Sequence, residues 1–426
     1  MVYEKVPPFR PERTRRFVAR PRAVCIPINQ RLARRTAHAR ALDLHGRLEA
    51  LANPTALAED WMQLQAQSEC SFFLSWSWIG AWLEVLPAGT ELYVYRCYDG
   101  PRLLGLCIVS RSRIRRRRIF SSQVLGINEV FLPGLDMAIE YNGLLARRGY
   151  EAAAAAQLLR DIQQSPLSWD EILFSGVPQK RWREFSEATS AAPLHSITDE
   201  IRSPWVTHLP TLGGAGEALF ASPLFTRMSS NRRWQIKRSF KEYEKIGPLT
   251  LHEARSFDEA LLLFDAMGAM HTQRWNQVGC AGSFANPLWV DFHRTLIRLA
   301  FDRGELQMLR INCGELAIGY IYNFLWRGRV YMLQSGLALQ KSNALRPGYV
   351  SHCLAIHHNA KKGLHYYDFM CGDSDYKSVL GQADQPLVWA RLQKPRWRFK
   401  IESALVGLYR RMKALRAALT GDALPR

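Results

Sequence analysis

The sequence predicts a mixed α/β protein built from two copies of one unit. Three matches in the same order predict it. Residues 91–106 read ELYVYRCYDGPRLLGL and residues 305–320 read ELQMLRINCGELAIGY, aligned without a gap at an offset of 214. Each reads as a strand, a turn at the first glycine and a second strand. Next, RRGYEAAAAAQLLRDI (147–162) faces RPGYVSHCLAIHHNAK (346–361), both helical in pattern. Then WDEILFSG (169–176) faces YYDFMCGD (366–373), both strands. A helix between two strands implies a crossover in a mixed sheet, so each copy is an α/β unit with helices flanking its sheet.

The chain divides accordingly. Residues 1–40 are rich in Arg and Pro with Glu4 and Glu12 as their acids, and read as a disordered basic tail. The two copies are expected over 41–200 and 205–395. In residues 396–426 an apolar stripe runs through Ile401, Leu405, Leu408, Met412, Leu415 and Leu419, one face of a helix whose other side is basic. Such a helix packs on protein or lies on an anionic membrane surface.

With 426 residues, 47% hydrophobic content and 13 Trp, the chain can build large cores. A net charge of +19 favours anionic partners: phosphate-bearing cofactors, nucleic acid or an anionic membrane. The eight cysteines are scattered, without a Cys-x-x-Cys pair or zinc-type spacing, so no metal is expected. No apolar run approaches the ~18 residues that span a bilayer. A cytoplasmic protein is expected, with peripheral attachment at the inner face of the membrane as the open alternative.

The copies differ where chemistry would sit. KSNALRPGY (341–349) precedes the second helix. Pro347 suits a first helical turn, and Gly348 lets a ligand approach the backbone. Lys341, Ser342 and Arg346 add charge and a hydroxyl near the free N–H groups, which together suit a phosphate or pyrophosphate, or form an ordinary helix cap. After the last strand of copy two, Gly372 ends an apolar run and Asp373, Asp375 and Lys377 follow. Asp368 lies on that strand among apolar neighbours. A carboxylate there would orient or deprotonate an amine, and a lysine would hold a phosphate or oxyanion; a solvated turn is the alternative. Copy one has neither feature, so copy two is expected to be the working half. The segment 229–247 reads as a basic helix with Trp234, Phe240 and Tyr243 interleaved, suited to nucleic acid or to solvent. AMHTQRWNQVGCAGSF (269–284) offers His271, Arg274 and Trp275 for an acceptor pocket or a helix end.

Over residues 55–395 the chain resembles the CelD-like or BioF2-like acetyltransferase family of bacterial exopolysaccharide and cellulose operons, within the GNAT superfamily. The residues that carry the resemblance are the Arg-rich helix at 231–245, HTQRW with GSF after it, GELAIGYIYNF, YMLQSGL, RPGY and YYDFMCGDSDYK. The tandem arrangement is also similar to FemABX peptidyltransferases, which use aminoacyl-tRNA. The resemblance implies tandem GNAT-like domains, the first degenerate, and an acetyl-CoA or other acyl-CoA co-substrate at the helix starting with Pro347. Gly348 and Tyr349 would present amides to the pyrophosphate, with Arg346 nearby. Asp368, Gly372, Asp373, Tyr376 and Lys377 match the family signature, which supplies the catalytic candidates Asp368, Asp373 and Lys377. Tyr376 would join Arg274 and Trp275 on the substrate side. The usual GNAT pyrophosphate loop is not cleanly present, so acetyl is not singled out as the transferred group.

The function expected is therefore an N-acyltransferase in which an amine acceptor attacks the thioester of an acyl-CoA. The alternatives are transfer from aminoacyl-tRNA and a non-catalytic scaffold at the membrane of a polysaccharide system.

Overall fold

The computed structural model describes residues 42–420 apart from 53, 117–118, 133–138, 190–192, 210–218 and 341. The tail expected over 1–40 lies outside them. The first half runs β1 (Leu44–Ala50), α1 (Pro54–Ala66), α2 (Trp76–Val85), β2 (Leu92–Asp99), β3 (Arg102–Arg116), β4 (Phe120–Ile127), β5 (Leu145–Ala146), α3 (Glu151–Gln164), β6 (Glu171–Pro178), α4 (Gln179–Ala188) and β7 (His195–Arg202). The second runs β8 (Trp205–His208), α5 (Pro223–Thr226), α6 (Ser230–Glu244), β9 (Leu249–Glu253), α7 (Phe257–Gln277), α8 (Pro287–Ala300), β10 (Leu306–Cys313), β11 (Leu316–Trp326), β12 (Arg329–Leu337), α9 (Pro347–Lys361), β13 (Tyr366–Asp368), α10 (Asp375–Leu380), β14 (Gln382–Ala383), β15 (Leu387–Gln393) and α11 (Trp397–Thr420).

The result is a mixed α/β fold with two mixed sheets flanked by helices. One sheet has the order β1-β2-β3-β4-β6-β15-β7, with β5 on β3; the other has the order β14-β8-β13-β12-β11-β10-β9. The repeat read from sequence is present as structure. The hairpins β2–β3 and β10–β11 turn at Gly100 and Gly314, both at φ 56, where a Cβ would be strained. Their ladders also slip at the same place, between Cys97 and Tyr98 in one and between Ile311 and Asn312 in the other. In each half the strand after the crossover helix, β6 or β13, pairs parallel with an earlier strand, β4 or β12, as a crossover requires.

One strand of the second half, β15, joins the sheet of the first, whereas β8 stays in the second sheet. β15 enters the first sheet between β6 and β7, and β8 enters the second between β13 and β14. Sheet membership therefore departs from the expected division at one place: Leu387–Gln393, inside the copy expected over 205–395, completes the first sheet. The alternation in LVWARLQ buries Val388, Ala390 and Leu392 in the first core. Side chains of both halves also meet in one core: Phe72 stacks on Phe324 at 4.2 Å, and Trp78 lies edge-on to Phe292 at 4.8 Å.

Candidate active site

Parallel strands that part leave a wedge, and each half has one. β12 and β13 pair only through Arg329–Tyr366, Val330–Tyr367 and Tyr331–Asp368, after which β12 continues to Leu337. β13 is turned aside at Met370 (φ 61) and Gly372 (φ 128). Its continuation stays on β8, with the Phe369 N–H donating to Trp205 O at 2.8 Å. In the first half β4 and β6 pair only through Val124–Glu171, Leu125–Ile172 and Gly126–Leu173. That wedge is filled by the chain itself. The Asn142 N–H donates to Gly176 O at 3.2 Å, Asn142 Nδ2 to Ile127 O at 2.8 Å, and Asn128 Nδ2 to Gly143 O at 2.7 Å. A Cβ on Gly176, itself at φ 61, would lie 2.7 Å from Ile139 O, so glycine is what admits the plug.

The helix that follows each wedge repeats the contrast. α3 carries Glu151 in its first turn, and its carboxylate accepts from the Gly149 N–H at 2.8 Å and from Arg181 at 2.9 Å. An anion position is thus held by the protein's own side chain. α9 begins Pro347-Gly348 with no acid in its first turn and no side-chain cap among the described residues. Basic helix α6 packs beside this start: the Arg346 N–H donates to Ser239 Oγ at 2.9 Å, and Arg346 Nη1 to Gln235 Oε1 at 3.2 Å. Arg232 pairs with Asp375 at 3.2 Å, and the Tyr349 hydroxyl donates to the same carboxylate at 2.8 Å. The Tyr349 ring is therefore buried, leaving its backbone at the helix start. Ser342 is exposed and accepts from the Ala344 N–H. Lys341 lies outside the described residues.

Further in, His352 is fully buried. Its ring stacks on Tyr376 at 4.5 Å and meets the edge of Phe369 at 5.4 Å. Neither ring nitrogen has a hydrogen-bond partner among the described residues, nor has the buried Ser351 Oγ. Burial, with Lys377 adding to it, pushes the imidazole down to about 3, so it is neutral. Burial pushes the Tyr376 phenol up to about 12, with the charge of Arg274 opposing. Arg274 and Trp275 end α7, and Trp275 is 40% exposed beside the buried His271. Arg274 on α7 thus lies within electrostatic reach of Tyr376 on α10.

At the end of β13, Lys377 Nζ donates to Cys371 O at 2.6 Å. The Cys371 N–H donates to Glu140 Oε2 at 3.0 Å, so Glu140 of the first half reaches the strand end of the second. Burial raises the Glu140 carboxyl and lowers the Lys377 ammonium, and Glu140 is the first charge opposing the latter. Asp373 is exposed just beyond. Asp368 is elsewhere in character. It is fully buried, and its Oδ2 accepts from Tyr141 Oη at 2.5 Å and Arg329 Nη1 at 2.9 Å. Its Oδ1 accepts from the Met370 N–H at 2.7 Å. Burial raises this carboxyl while Arg329 opposes. With both oxygens committed, Asp368 joins the two halves rather than facing a ligand. Beside Arg329 a cavity of about 440 Å³ opens between the halves, lined among others by Tyr141, Glu151, Arg181, Tyr366 and Asp384.

Sequence reasoning missed Glu140, Tyr141, Arg329 and His352. Glu140 and Tyr141 lie in the stretch AIEYNG of copy one, the half not expected to work. Its Glu-Tyr-Asn between apolar residues was the available signal. Among the described residues no three His, Cys, Asp or Glu side chains gather as a metal site.

Residues 230–378 match the family model described as "Acetyltransferase (GNAT) domain". No curated protein matches the sequence. Among solved structures, FemX is similar at a TM-score of 0.50 and 8% identity, over 78% of this chain and 95% of that one. A conserved protein of unknown function from Bacteroides thetaiotaomicron has a TM-score of 0.48 at 12% identity, over 79% and 97%. A tandem GNAT protein from the clavulanic acid biosynthesis pathway has 0.40 at 10%, over 83% and 99%. Residues 230–378 are thus similar to a GNAT acetyltransferase domain, within a two-sheet fold similar to that of FemX.

Proposed function

We propose that the chain is an acyl-CoA-dependent N-acyltransferase whose second half acts on an amine acceptor, in the cytoplasm. Extracellular polysaccharide biosynthesis is its proposed setting, on the family resemblance alone. The observation that carries the proposal is the contrast between the wedges. The first is plugged by residues 139–143 and its helix start is closed by Glu151, whereas α9 begins without an acid or a side-chain cap. Partnerless buried polar atoms are rare in native proteins, so Ser351 Oγ and the His352 nitrogens suit a polar ligand.

An acyl-CoA bound there would supply an activated thioester carbonyl. The amides of Gly348 and Tyr349 would hold the pyrophosphate, supported by Arg346, Lys341 and Ser342. Arg274, Trp275 and Tyr376 would line the acceptor side. As the acceptor nitrogen bonds to the acyl carbon and the carbon–sulfur bond breaks, the nitrogen's proton goes to a carboxylate. We assign that role to Glu140, since a carboxyl raised toward neutrality suits a base. Asp368 is committed to Tyr141, Arg329 and Met370, and Asp373 is the competing base. Lys377 would fix the strand end through Cys371 O.

Thiol release from acyl-CoA across a panel of amines and amino sugars tests this. Glu140→Gln should lower kcat by roughly 10²–10⁴-fold while leaving the fold intact. Wild-type activity should fall as pH drops through the raised Glu140 value, because the base must be deprotonated. A full loss in Asp373→Asn with Glu140→Gln unaffected would reassign the base. A second reading, transfer from aminoacyl-tRNA, is favoured by α6. It exposes Lys237, Arg238 and Lys241 beside Trp234, which is 57% exposed with Arg238 5.3 Å over its ring. It requires salt-sensitive binding that is stronger for charged tRNA than for random RNA.

A further inference from the structure

α11 is fastened at its start to the first sheet. Arg116 Nε donates to Glu402 Oε2 at 2.8 Å, and Phe399 packs edge-on to Phe120 at 5.6 Å. Arg398 pairs with Asp170. Phe399 and Glu402 are buried at 4% and 6%. This contact decides which face of the helix looks outward. Ile401, Leu405, Leu408 and Met412 are 45, 45, 55 and 54% exposed, and Trp397 is 73% exposed. Their spacing of four, four, three and four residues forms one continuous stripe, about 22 Å long at 1.5 Å per residue. A soluble protein rarely leaves such a stripe to water.

Among the described residues, the exposed charges on α11 and on the adjoining end of β3 are basic. Lys400 and Arg411 are exposed on the same helix, to one side of the stripe at 100° per residue. The far end of β3 exposes Arg113 and Arg115, and Ile119 in the turn that follows is 49% exposed. That end is tied to α11 through Arg116 and Phe120. No helix among the described residues is long and apolar enough to cross a membrane. We propose that the outward face of α11 from Trp397 to Met412, with Arg113, Arg115 and Ile119, is the surface by which this protein lies on an anionic lipid bilayer. The apolar stripe enters the boundary between headgroups and acyl chains, and the basic groups meet lipid phosphates. A second copy of this chain would carry the same positive rim, so charge opposes self-association through this face.

The test uses full-length protein in vesicle flotation. One set of vesicles is phosphatidylcholine alone, and the other contains about 30% phosphatidylglycerol, within the range of surface charge that attracts basic segments. Binding is expected on the anionic set, weakening with added salt. Leu405→Glu with Leu408→Glu and Met412→Glu should abolish it. Lys400→Glu with Arg411→Glu should lower partitioning by about tenfold or more. All five positions are exposed, so circular dichroism should show both variants folded. Absence of binding, equal binding to neutral vesicles, or variants that float like wild type would overturn the proposal. So would sedimentation showing a dimer that the triple variant converts to monomer while wild type ignores vesicles.

Discussion

A chain ending at Pro386 is expected to lose cooperative folding of the first sheet, although that sheet's other strands lie before residue 203. Removal of β15 takes away the antiparallel partner of both β6 and β7. It exposes the backbone groups of two strands and removes Val388, Ala390 and Leu392 from the core. Three such side chains are worth roughly 4–6 kcal/mol of burial, and the two new edges invite aggregation. Those losses are comparable with the entire stability of an ordinary domain. Chemical denaturation followed by far-UV circular dichroism should show no single sharp transition. A truncated chain that unfolds like full-length protein would mean that β7 re-pairs with β6 directly.

Asp368→Ala should be the most destabilising point change at the junction, by about 3 kcal/mol. The substitution strands Arg329 without its closest partner and orphans the Tyr141 hydroxyl and the Met370 N–H. The low end of the usual 3–5 kcal/mol is expected because Asp384 still lies 3.5 Å from Arg329. Replacing both partners, Asp368→Leu with Arg329→Met, should recover most of the loss, since a buried pair can be exchanged for apolar residues of similar volume. Denaturation midpoints of the single and double variants form the comparison. Equal losses in both would show that the hydrogen bonds, not the charge left behind, set the cost.

The repeat was legible because hairpins and crossovers are local. Gly100 and Gly314 mark turns that need positive φ, and the crossover helices carry their own patterns. The passage of β15 into the first sheet was not legible. A strand such as LVWARLQ carries alternation but nothing that names its partner, and sheet pairing is decided by tertiary context. The strand expected over 366–373 ends as a ladder at Asp368, because the left-handed Met370 comes before the expected break at Gly372. Alternation correctly placed Asp368 on an apolar face, yet Arg329 and Tyr141, separated from it by 39 and 227 residues, leave no trace in spacing. Glu140 was hidden for a related reason. It belongs to the copy read as scaffold but serves the strand end of the other.

The central claim is that α9 opens an acyl-CoA site in the second half. Calorimetric titration with acetyl-CoA, a long-chain acyl-CoA and free CoA, beside the variant Gly348→Glu, tests it most directly. A Cβ at Gly348 meets only Leu337 Cδ1, at 3.2 Å, so the variant should fold. Its carboxylate would sit where the pyrophosphate needs free amides. Each charge-assisted hydrogen bond is worth about 1.5–3 kcal/mol, so losing two weakens binding by roughly 10²-fold or more. Saturable binding in wild type that disappears in Gly348→Glu is the predicted result. No binding of any of the three ligands, or unchanged binding in the variant, would contradict it.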